Sequence, residues 1–173
     1  MGGAAALVLA AAPLPACGKV DPRAVASLSE VESYWAVDRP VGGTQFLAPV
    51  VRFRLTNTSS EPLRAVDANA TFRRRDEAVA WSGGYAQVAP VSDGGEARRP
   101  LAPGQSVLVV LKPEGEGRYT STVQPEQMLA HPQFRDVTAE VFLRVGASAW
   151  TKMTEVSVER RLGPRSATAA LAP

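Results

Sequence analysis

The sequence predicts an all-β fold, an antiparallel β-sandwich of about seven or eight strands with one short helix. Three observations carry this. From Leu28 onward apolar residues recur with period two rather than 3.6. Turn-forming clusters of Gly, Pro, Asn and Ser separate the apolar segments. Only one segment, about two turns long, carries the boundary marks of a helix.

Ser33 to Val37 reads as a first strand. Val51, Phe53 and Leu55 then alternate with Arg52, Arg54 and Thr56, and Asn57-Thr58-Ser59-Ser60-Glu61-Pro62 supplies a dense turn signal. Val66, Ala68, Ala70 and Phe72 alternate with Asp67, Asn69, Thr71 and Arg73, so both segments predict antiparallel strands with one solvated face. Ala78 to Trp81 and Tyr85 to Val88, separated by Ser82-Gly83-Gly84, predict short edge strands, and Ser92 to Arg99 predicts a polar loop. A Pro-Gly turn at Leu101-Ala102-Pro103-Gly104-Gln105 precedes Val107 to Leu111. This short β-branched run predicts a central strand buried on both faces, stopped by Pro113. Pro125 to Ala130 is the helix, with Pro in its first turn and Pro132 ending it. Val137 to Val145 alternates again, Gly146-Ala147-Ser148 turns the chain, and Ala149 to Arg160 predicts a long final strand.

Composition narrows the function classes. The chain has 173 residues, 45% of them hydrophobic, with 19 Lys and Arg against 17 Asp and Glu, a formal net charge of +2, one Cys and one His. One Cys makes no internal bridge, one Cys and one His make no zinc site, and so small a net charge argues against nucleic acid as a partner. Neither a metal nor a cofactor is expected. A chain of this size buries roughly two-thirds of its unfolded surface, enough for a core without staples.

The sole Cys is placed informatively. Ala4 to Ala12 is an apolar run too short for a membrane span, which needs about 20 residues, but long enough for the apolar region of an export signal. Leu14-Pro15-Ala16-Cys17-Gly18 follows and resembles a bacterial lipoprotein cleavage box, in which small residues precede an invariant acylated Cys. Two readings compete: either Cys17 is incidental, in an apolar N-terminus or in a signal cut at an A-x-A-like site, or it is the lipidated residue. A lone Cys at the end of the apolar run, directly after a small residue, favours lipidation. No Lys or Arg precedes Lys19, which fits a true start upstream of Met1. The expected organisation is then a signal peptide over 1–16, acylated Cys17 and a tether over 17–27, a sandwich domain over 28–161, and a disordered tail over 162–173. Acyl chains such as palmitate on Cys17 would anchor the chain at about 0.8 kcal/mol per buried methylene. Gly18 in place of Asp points to the periplasmic side of the outer membrane where the cell has one.

With the strands placed, the region from about Tyr34 to Arg161 resembles the immunoglobulin-like sandwich domains of small exported bacterial lipoproteins. The resemblance rests on Val51-Arg52-Phe53-Arg54-Leu55-Thr56-Asn57, on Leu101-Ala102-Pro103-Gly104-Gln105-Ser106 and on the closing hairpin around Gly146. It implies placement in the cell envelope and an interaction or assembly role, with no catalytic motif to carry across.

No hydrolase elbow, phosphate loop or dinucleotide fingerprint is present, and no catalytic residue is expected. His131, at the end of the predicted helix, reads as structural or solvent-exposed. Glu114 and Glu116 flank Gly115 but lack the Asp ladder of a calcium loop, so a solvated loop is expected. The clusters Arg73-Arg74-Arg75, Arg98-Arg99 and Arg160-Arg161 read either as an anion-binding patch or as charged edges that block aggregation. Asp76, Glu77, Glu96 and Glu159 beside them favour the second. Among the aromatics, Trp81 and Tyr85 are the candidates for exposed partner contacts. The expected function is a membrane-anchored, non-enzymatic module that binds another envelope protein. The alternative is a module for carbohydrate or cell-wall polymer, for which an exposed row of coplanar rings would be the mark.

Overall fold

The computed structural model describes residues 20–41, 44–88, 100–113, 117–121 and 123–163. Its strands are β1 (Ala26–Val41), β2 (Thr44–Asn57), β3 (Val66–Arg74), β4 (Ser82–Val88), β5 (Ser106–Leu111), β6 (Tyr119–Ser121), β7 (Val137–Val145) and β8 (Thr151–Ser157). They form two antiparallel sheets: β1-β2-β5, with β6 also on β2, and β4-β3-β7-β8. The fold is therefore an all-β sandwich. β2 pairs with β5 and β3 with β7, partners distant in sequence, which is the Greek-key crossing of immunoglobulin-like sandwiches.

Alternation builds the core. Phe53 and Leu55 of β2, Ala68, Ala70 and Phe72 of β3, and Ala139, Val141 and Leu143 of β7 are fully buried between the sheets, while intervening residues face outward. Each large apolar side chain so buried contributes roughly 1.5–3 kcal/mol. The helix α2 (Pro125–Ala130) forms where its proline signals place it, and buries Pro125, Met128 and Leu129 against the same core. A 3₁₀ turn (Pro132–Phe134) follows, with His131 exposed at its start and His131 Nδ1 accepting from the Gln133 amide.

Several expectations are corrected. β5 is not a central strand buried on both faces: its burial alternates, with Val109 and Leu111 inward and Leu108 and Val110 exposed. An apolar run has no internal mark of which face will be covered, and among the described residues only the inner face of this sheet is covered, by the second sheet. The segments 51–56 and 66–73 lie in different sheets, because the turn after Asn57 carries the chain across the sandwich. Ser82-Gly83-Gly84 is not a turn but the start of β4, and 78–81 is not a strand. Gly84 faces inward where the edges of the sheets meet, and a Cβ there would lie 2.7 Å from the Lys112 backbone nitrogen and oxygen. β1 is far longer than Ser33 to Val37, and the expected tether holds a helical turn, α1 (Pro22–Val25), capped by Asp21 Oδ1 accepting from the Arg23 amide.

The C-terminal boundary extends past Arg161. Leu162 pairs in parallel with Trp35: the Trp35 amide donates to the Arg161 carbonyl (3.0 Å) and the Gly163 amide to the Trp35 carbonyl (2.9 Å). Residues 164–173 of the expected tail lie outside the described residues, as do the signal segment and Cys17.

Candidate functional site

The two aromatic candidates reach different environments. Trp81 precedes β4 and turns into the end of the core. Its indole lies parallel to that of Trp35 (6.5 Å between centroids, 5° between planes), edge-on to Tyr119 (5.2 Å) and tilted against Phe72 (6.5 Å). Phe134 closes the cluster 4.7 Å from Trp35. Beside it Arg74 donates to Glu77 Oε1 (2.6 Å) and to the Tyr119 hydroxyl (3.2 Å). Burial pushes the Tyr119 hydroxyl above its usual range, which keeps it neutral as an acceptor for Arg74. Trp81 is thus a half-buried packing residue.

Tyr85 is 53% exposed and lies on the outer face of the second sheet. Its hydroxyl donates to Asp67 Oδ1 (2.7 Å), and Arg144 donates to Asp67 Oδ2 from Nε (3.1 Å) and from a terminal nitrogen (2.7 Å). Trp150, 40% exposed, meets Tyr85 edge-on at 6.5 Å with 77° between planes and lies beneath the Arg144 guanidinium. The structure does not bring Trp81 and Tyr85 together. The exposed pair, Tyr85 and Trp150, is perpendicular rather than a flat platform for sugar rings.

A surface that the sequence did not single out lies on the first sheet. β5 pairs with β2 in the register Arg52↔Val110, Arg54↔Leu108 and Thr56↔Ser106. Leu108 is 53% and Val110 48% exposed on its outer side. The arginines beside them are held from the far side, Arg52 by Glu32 (3.0 Å) and Arg54 by Glu30 (3.2 Å). The outer face therefore runs from carboxylates on β1 through neutralised arginines on β2 to an uncharged aliphatic strip on β5. Within Ser106–Leu111 there is no Lys, Pro or bulge, the devices that edge strands ordinarily carry, and Lys112 and Pro113 follow only at its end. Ser106 to Leu111 has no charged residue to reveal which face meets water, so only the pairing identifies the strip.

Among the described residues no group of three or more His, Cys, Asp or Glu could hold a metal ion. Glu114, Glu116, Arg98 and Arg99 lie outside the described residues.

No family model and no curated protein matches this chain. Three chains of known structure do. One is described as a protein from Archaeoglobus fulgidus, 11% identical, with a TM-score of 0.35, over 77% of this chain and 98% of that one. A likeness at that level carries no argument about function.

Proposed function

We propose that this chain is a lipid-anchored bacterial envelope protein that acts as a non-enzymatic interaction module, with the outer face of β5, and its edge left unpaired among the described residues, docking another envelope protein. The observation that carries the reading is the exposure of Leu108 and Val110 on an uncharged strand at the end of its sheet. Such a strand offers main-chain donors and acceptors for strand addition, together with apolar contacts for specificity. Anchoring through Cys17 rests on the cleavage-box resemblance, and it would confine the module to the membrane surface where its partner lies. The perpendicular setting of Tyr85 and Trp150 ranks a protein partner above a glycan.

The test is affinity purification of the tagged protein from its native envelope, comparing wild type with the Leu108→Asp, Val110→Asp double variant. The expected result is one or more proteins retained by wild type and lost from the variant. Equal recovery from both, or recovery of glycan alone, contradicts the reading.

A further inference from the structure

The Arg73-Arg74-Arg75 run divides in the fold. Arg74 turns toward Glu77 and Tyr119, and also donates to the Gln133 carbonyl (3.3 Å). Arg73 and Arg75 project to the opposite side, where Thr138, Glu155, Val156 and Ser157 complete the walls of a pocket of about 150 Å³. The Arg75 amide donates to the Asp136 carbonyl (2.8 Å), fixing the chain at the pocket mouth.

Charges in and around this pocket do not cancel. A terminal nitrogen of Arg73 lies 3.4 Å from Glu140 Oε1 and 3.9 Å from Glu155 Oε1. Lys152 Nζ bonds to both carboxylates, at 2.7 Å to Glu140. The pocket walls themselves hold two cations, Arg73 and Arg75, against one carboxylate, Glu155, and the Arg75 guanidinium has no ion-pair partner among the described residues. A second observation is independent of charge: Arg73 Nε is buried and without a hydrogen-bond partner. Buried donors in native proteins are nearly always satisfied, so the fold's own acceptors leave this guanidinium incompletely used at the pocket wall.

The geometry points to an anion site in this pocket that takes a single phosphate group, with the Arg73 and Arg75 guanidinium groups and the Ser157 hydroxyl as donors. Donors drawn from three separate side chains suit the tetrahedral oxygens of phosphate better than the planar pair of a carboxylate, and arginine forks are well matched to phosphate. The volume admits one such group and little more. The same chemistry is offered by free phosphate and by a phospholipid headgroup, which a membrane-tethered domain would meet continually.

The test is a phosphate titration of the chain followed by amide NMR, with ionic strength held constant by sodium chloride. Saturable shifts are expected at Arg73, Arg75, Thr138 and Ser157. Arg75→Ala should weaken binding about tenfold or more, equivalent to losing at least one charge-assisted hydrogen bond. Arg75→Lys should lie between the two, because it keeps the charge without the fork. Arg64→Ala, outside the pocket, should leave binding unchanged. In a Cys17→Ser background, flotation with phosphatidylglycerol vesicles but not phosphatidylcholine vesicles, lost in Arg75→Ala, assigns the site to a headgroup. Phosphate binding without flotation assigns it to soluble phosphate, and either result supports the site. Shifts reproduced by sodium chloride alone, or an unchanged affinity in Arg75→Ala, overturn it.

Discussion

The side-chain amide of Asn57 donates to the Leu101 carbonyl at 2.8 Å, joining the turn that ends β2 to the turn that precedes β5. Asn57 is fully buried, and its side chain is used at every position it has. Nδ2 donates also to the Glu61 carbonyl (2.8 Å), and Oδ1 accepts from the Ser59 amide (2.9 Å) and hydroxyl (2.7 Å). Its own amide donates to the Gln105 carbonyl and its carbonyl accepts from the Gly104 amide. Pro103 and Gly104 (φ +73°) occupy the central positions of the turn closed by the Gln105 amide on the Ala102 carbonyl, as a type II turn requires.

Removing this joint leaves several buried polar groups unpaired, each costing about 1–3 kcal/mol. Asn57→Ala should therefore lower the unfolding free energy by about 2–4 kcal/mol in urea titrations. Asn57→Asp should cost at least as much, since a carboxylate would face two carbonyl oxygens. A loss below about 1 kcal/mol for both would show that the turns hold without it.

Trp81 and Tyr85 should separate cleanly on substitution. Trp81→Ala opens a cavity among Trp35, Phe72 and Tyr119 and should cost about 3 kcal/mol. Tyr85→Ala leaves Asp67 with Arg144 and should cost less than about 1 kcal/mol. Thermal unfolding of the two variants checks this, and equal losses would contradict the placement of Trp81 in the core.

Acid should weaken the second sheet through Glu140. The hydrogen bond from Lys152 holds the Glu140 carboxyl below its ordinary value of 4.5, with Arg73 adding to the effect. A carboxyl whose pKa is lower folded than unfolded contributes stability that is present above the unfolded value and is lost as pH falls through the folded one. Stability should therefore decline below about pH 4.5, and Glu140→Gln should be less stable at neutral pH with a flatter acid limb. Urea midpoints measured from about pH 3 to 7 test this, and identical acid limbs would show that Glu140 carries none of the dependence.

The anchor makes a separate prediction. Metabolic labelling with a fatty-acid analogue should mark wild type and not Cys17→Ser, and the variant should leave the membrane fraction. Equal labelling of the two would remove lipidation from the account.

The sequence revealed the fold through features that are local. Alternation at 51–56, 66–73 and 137–145, the Pro-Gly turn before β5, the Gly146 hairpin and the proline-bounded helix at Pro125 each need only a few neighbouring residues, and each stands in the structure. What escaped was set by pairing between distant segments. Val107 to Leu111 has the same residues whether one face of it or both will be covered, and Leu108 and Val110 are exposed because, among the described residues, no second layer covers the outer face of their sheet. Leu162, in an aperiodic Ala/Pro-rich stretch, gains order from the edge of β1, which the local pattern does not record. Trp81 looked like an exposed ring beside a glycine turn, yet those glycines lie within a strand and the indole closes the core.

The central claim is that β5 faces a protein partner in the envelope. Photo-crosslinking residues placed singly at Leu108, at Arg64 and at Gln87 in the full chain, and activated in intact cells, test it most directly. The account predicts a discrete protein adduct from position 108 that is absent from 64 and 87. No adduct at 108, or the same adduct from all three positions, would contradict it.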